Sequence, residues 1–86
     1  MKKDLAIKQI YDDFTNKITL SDNEKDVLQR YIKNDSIVKI ANDTTQGTAT
    51  ISRIIANIKV KYEDYKKLEI AKLMLLTNKK WHKRDN

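Results

Sequence analysis

Apolar residues recur along this chain at helical spacing and rarely alternate. Ile7, Ile10, Tyr11, Phe14 and Ile18 fall at i, i+3, i+4, i+7 and i+11, with Asp4, Lys8, Asp12 and Asp13 on the opposite face. This predicts a first helix over residues 3–17. Ser21 with Glu24 three residues later is a capping-box signature, so a second helix is expected over 22–33 with Val27, Leu28, Tyr31 and Ile32 inward. Asn34-Asp35 ends it, and Ser36 caps a short third helix, 37–43, whose inward residues are Ile37, Ile40 and Ala41. Ala41 is small where two helices would cross closely. Residues 44–47 form a turn holding Gly47, the one glycine of the chain, which fits a backbone position of restricted or positive φ. A fourth helix over 48–60 has Ile51, Ile54, Ile55 and Ile58 on one face.

A fifth helix is expected over 63–78. Tyr65, Leu68, Ala71 and Leu75 make one stripe, and Tyr62, Ile70, Leu73, Met74 and Leu76 widen it beyond a single face. A helix apolar nearly all round is buried on more than one side. In an 86-residue chain the simplest second cover is another copy, so a homodimer through Leu73, Met74 and Leu76 is expected. Residues 1–78 then form a single helical domain and 79–86 a basic tail. Lys79, Lys80, Trp81, Lys83 and Arg84 of that tail read as a solvated end with Trp81 resting on a neighbour, or as a DNA arm.

Composition agrees with the pattern. One Gly and no Pro leave few turn-formers for strands, so the fold class is all-α, about five helices with a central helix-turn-helix over 36–60. There is no cysteine and a single histidine, so no thiolate metal site, disulfide framework or cofactor is implied. No apolar run approaches the roughly 18 residues of a membrane span, and acids interrupt the signal-like start at once. A cytoplasmic, soluble protein without membrane association is expected. No nucleophile–base ordering or phosphate-binding fingerprint occurs, and the adjacent acid pairs Asp12-Asp13 and Glu63-Asp64 diverge on a helix. An enzyme is not expected.

The net charge of +6 is unevenly spread. Residues 1–35 balance. Residues 36–62 carry Lys39, Arg53, Lys59 and Lys61 against Asp43 alone, and residues 63–86 are again basic. Such a field suits a polyanion, although basic residues also serve simply as solubilising surface. The start of helix 48–60 is slim and polar, as a helix entering the DNA major groove must be. Gln46, Thr48, Ala49, Ser52 and Arg53 are the candidate base-reading residues. Methyl groups of Thr and Ala can meet thymine methyls, and Arg53 can fork onto guanine O6 and N7. Ser36, Lys39, Thr50, Asn57, Lys59 and Lys61 are candidate phosphate contacts, joined by free amides at the helix starts. Double-stranded DNA is the expected partner, with two reading helices about one DNA turn apart in a dimer.

The run Thr48-Ala49-Thr50-Ile51-Ser52-Arg53, with Thr44 and Ile40-Ala41 before it, resembles the Trp repressor-like group. Leu20, Glu24, Val27 and Leu28, with Ser36, Ile40, Ala41, Thr50, Ile51 and Ile58, also resemble LuxR/GerE-type and sigma-factor region-four domains. The resemblance spans about residues 20–68 and implies a DNA-binding transcriptional regulator, such as a repressor, with helix 48–60 in the major groove. Thr44 in place of the leucine of the LuxR type favours the Trp repressor-like side. Thr45 stands where a glycine is common. In the tryptophan-binding repressor two arginines hold the ligand. Arg53 matches one, and Asn23 occupies the region of the other, so tryptophan sensing is not carried over. The alternative function is a small helical adaptor that docks on RNA polymerase or another regulator through helix 63–77. A further reading is a structural or toxin-neutralising helical protein.

Overall fold

A computed structural model describes the backbone of residues 1–85 and the side chains of residues 1–75. The order is α1 (Lys2–Leu5), α2 (Lys8–Lys17), α3 (Asp22–Ile32), α4 (Ile37–Thr44) and α5 (Thr48–Asp85), all α-helical. The helical fold class follows the sequence reading, but two divisions differ from it.

The expected first helix is broken at Ala6–Ile7. Ile7 is extended, with φ −83° and ψ 120°, and half exposed instead of buried. Leu5, which lies off the predicted stripe, enters the core in its place. The break re-aims α1 so that Asp4 accepts a 2.7 Å hydrogen bond from the Tyr62 hydroxyl and Lys2 stands 4.5 Å over the Tyr31 ring. The second difference is at 60–63, where no helix ends. No Pro, Gly or capping side chain occurs in Val60-Lys61-Tyr62-Glu63, and Ile58, Tyr62 and Tyr65 continue the buried stripe. The separate helices expected over 48–60 and 63–78 are therefore one, 38 residues long. At 1.5 Å per residue it spans about 57 Å, which accounts for the long axis of a molecule measuring 61 × 21 × 18 Å.

The core forms two clusters. Phe14, fully buried, meets Tyr62 and Tyr65 edge-on at centroid distances of 5.5 and 5.4 Å, with Leu5, Leu20, Leu28 and Ile58 around them. Val27, Ile40, Ala41, Ile51 and Ile55 form the second cluster, which joins α3, α4 and the start of α5. Ile54 packs against both, while Ile37, expected inward, is 38% exposed at the first turn of α4.

The caps explain where the shorter helices begin and end. Ser21 accepts from the Glu24 amide at 3.1 Å and Glu24 accepts from the Ser21 amide at 3.0 Å, completing the capping box. Ser36 accepts from the Lys39 amide at 3.1 Å. Helices α3 and α4 both end in Schellman geometry. Asp35 N–H reaches the Arg30 carbonyl with Asn34 at φ 71°, and Gln46 N–H reaches the Ala41 carbonyl with Thr45 at φ 57°. The left-handed residue of the α4–α5 turn is thus Thr45 and not Gly47, whose φ is not positive. Gly47 instead stands at the start of α5, its carbonyl accepting the first helical bond, from Ile51.

Candidate nucleic-acid interface

The turn and first three turns of α5 lie beside α4, fixed from below by α3. Ala41 is buried between α4 and α5 together with Ile40, Ile51 and Ile55. A larger side chain at Ala41 would push the helices apart. With this face turned inward, 3.6 residues per turn leave Thr48, Ala49, Thr50, Ser52, Arg53, Ala56, Asn57, Lys59 and Val60 exposed. Ala49, Arg53, Ala56 and Val60 form the outermost row. Thr48, Ser52 and Lys59 form one flank, and Thr50, Asn57 and Lys61 the other.

Helix α3 grips α5 and its preceding turn at two points. The Asn23 and Gln46 side-chain amides exchange two hydrogen bonds, each 3.0 Å, which ties the turn to the start of α3. One residue on, Glu24 accepts from Lys61 at 2.8 Å, and Lys61 also donates to the Thr19 carbonyl at 3.2 Å. Burial pushes the Glu24 carboxyl up. The Lys61 ammonium and the Ser21 amide more than offset this and hold it below the ordinary value. Gln46 and Lys61, candidate base-reading and phosphate residues by sequence, are both engaged by α3 side chains at the half-exposed surface. The sequence reading missed Asn23 and Glu24 as their partners. A capping box was visible at Glu24, but nothing in its local spacing indicates a contact 37 residues away.

Lys39 is partly neutralised as well. Its ammonium lies 3.1 Å from Asp43 and 3.5 Å from Asp35, and Asp43, then Asp35, raise its pKa. Asp43, the sole acid of residues 36–62, is also approached by Arg30 at 3.4 Å. Arg53 and Lys59 differ from these cations. Among the described residues no carboxylate pairs with either. The exposed face therefore has two uncommitted cations, and its neighbouring acid is already paired. Ser36, at the exposed α4 start, retains its capping role.

Leu73 and Met74, candidate dimer residues, are exposed on the far part of α5. Leu76 and the basic run at 79–84 lie outside the described side chains. An open, mostly apolar hollow of about 250 Å³ lies between α2 and α3, lined by Leu5, Tyr11, Gln29 and Ile32, with no contribution from α4 or α5. Among the described residues there is no cluster of three or more potential metal ligands, and no helix is long and apolar enough to cross a membrane. No known protein family, curated protein or solved structure matches the chain.

Proposed function

We propose that this chain is a helix-turn-helix protein that binds duplex DNA in a sequence-specific way and regulates transcription. The start of α5 enters the major groove. The observation that carries this reading is the division of labour on α5. Thr48, Ala49, Ser52 and Arg53 are exposed on a narrow polar end, and among the described residues no carboxylate pairs with Arg53. Base-edge readout needs this combination of slim polar side chains and a free guanidinium. Lys59 neutralises phosphate, Thr50, Asn57 and Ser36 hydrogen-bond to it, and Lys39 supplies a weaker field because two aspartates share its charge. Gln46 and Lys61 act within the proposal as struts, holding α5 through Asn23 and Glu24.

The test is selection of bound sequences from random duplex DNA, followed by binding measurements over a salt series. Arg53→Ala should cost about 1–3 kcal/mol on the selected site and relax specificity. Equal binding by this variant and wild type would remove Arg53 from the readers. Lys59→Ala should weaken all sequences alike and lower the salt slope by about one. The exposed apolar stretch on the far half of α5 favours a second reading, an adaptor that docks on RNA polymerase or another regulator. Under that reading, loss of partner binding follows substitutions at Leu68 or Leu75 and not at Arg53.

A further inference from the structure

Lys17 of α2 reaches across to α5 at Glu69, 2.7 Å away. Around and beyond that point α5 is apolar but uncovered. Leu68, Ile70, Met74 and Leu75 are each more than half exposed, crowded into about two turns. A concentrated patch of this kind marks an interaction surface, unlike scattered single apolar residues. We infer that the segment 68–75 is covered by the same segment of a second copy, and that the two α5 helices run antiparallel.

Charge selects the occupant and its direction. Before the apolar segment lie Glu63 and Asp64, followed by Lys66 and Lys67, while Glu69 lies within it and is already bound to Lys17. After it the sequence carries Lys79, Lys80, Lys83 and Arg84, with no acid before Asp85. A parallel pair would set the basic ends side by side. An antiparallel pair centred at 71–72 brings sequence positions 79 and 80 level with positions 64 and 63 of the second copy, lysines against acids, and also opposes the helix dipoles. Ala71, midway between Leu68 and Leu75 on one stripe, lets the two axes approach closely. The seam centres at Ala71–Lys72, so Leu68 of each copy faces Leu75 of the other.

Because α5 is unbroken, this seam fixes the reading ends, a step that rests on the DNA-binding reading. Thr50 lies about 32 Å along the axis from the seam centre, at 1.5 Å per residue. Two antiparallel copies hold their reading ends about 65 Å apart. That is close to two DNA turns of ~34–36 Å, where a single turn was expected from sequence.

The chain has no cysteine, so single introduced cysteines report the pairing directly. Leu68→Cys and Leu75→Cys occupy exposed positions and leave the core untouched. On mild oxidation, a mixture of the two variants should link Leu68→Cys to Leu75→Cys several-fold more than either links to itself. Sedimentation should show a dimer that Leu68→Glu with Leu75→Glu dissociates, circular dichroism confirming that the variant is folded. Dominant self-links at both positions mean a parallel pair and overturn the direction. A dimer without these links overturns the seam. A monomer at tens of micromolar overturns the second copy as occupant and returns the patch to an adaptor role. These measurements use no DNA, so they stand even if DNA binding fails. In selected operators, half-sites one turn apart would overturn the spacing alone.

Discussion

Replacing Thr45 by glycine should stabilise the protein. Thr45 holds φ 57° and ψ 41°, a left-handed conformation in which a β-branched side chain is strained. Its side chain is exposed and makes no hydrogen bond, so the substitution removes no interaction. The turn's backbone bonds, Thr45 N–H to Asn42 at 3.4 Å and Gln46 N–H to Ala41 at 2.9 Å, need no side chain and should persist. Relief of the left-handed strain is worth about 1–2 kcal/mol. Glycine's larger freedom in the unfolded chain takes back about 0.5–1 kcal/mol. The net gain should be about 0.5–1 kcal/mol, or an increase of about 2–8 °C in Tm for a domain of this size. The assay is thermal melting followed by circular dichroism at one fixed protein concentration, because the proposed pairing of two copies would make Tm depend on concentration. Gly47→Ser is the matched control. An added Cβ at position 47 meets only Thr50 Oγ1, at 3.9 Å, and serine caps a helix at least as well as glycine. A lowered or unchanged Tm for Thr45→Gly would refute the strain argument. A large loss for Gly47→Ser would show that the α5 start, and not the α4 end, is where glycine is required.

The Glu24 carboxylate is held below its ordinary pKa of 4.5, so its contribution is present above the unfolded value and lost as pH falls through the folded one. An acid titration of helix content should therefore show a weaker pH dependence for Glu24→Gln than for wild type; superimposable curves would contradict the Lys61 clamp. At the alkaline end, burial and then the Asp4 bond push Tyr62 up from 10.0 to about 12, so its contribution is complete below pH 10.0 and disappears as pH rises through about 12. Tyr62→Phe should cost about 1 kcal/mol at neutral pH and reduce the alkaline loss of stability, measured by urea melts at several pH values. Phe14→Ala, at the centre of the aromatic cluster, should cost about 3–5 kcal/mol, enough to unfold much of a domain this small in urea-free buffer at 37 °C.

Local signals determined much of this protein. Helix periodicity placed Val27, Leu28, Ile40, Ala41, Ile51 and Ile58 in the core, and the Ser21–Glu24 box and Ser36 located the starts of α3 and α4. These features are legible because caps and apolar faces involve residues only a turn or two apart. The exposed polar edge from Thr48 to Arg53 follows from the same periodicity, since burying Ile51 and Ile55 turns that edge outward. Tertiary structure decided what depends on distant partners. Packing of Leu5 and the Asp4–Tyr62 bond accompany the break before α2. Position 45, not the glycine, takes the left-handed turn, because the Gln46 amide must reach Ala41 to close α4. Gln46 and Lys61 are held by Asn23 and Glu24, partners 23 and 37 residues away. No short window of sequence records such pairs; they exist only once α3 lies against α5. The same packing separates the internally paired Lys61 from Arg53, which pairs with no carboxylate among the described residues; from sequence one was expected to contact phosphate and the other to read bases.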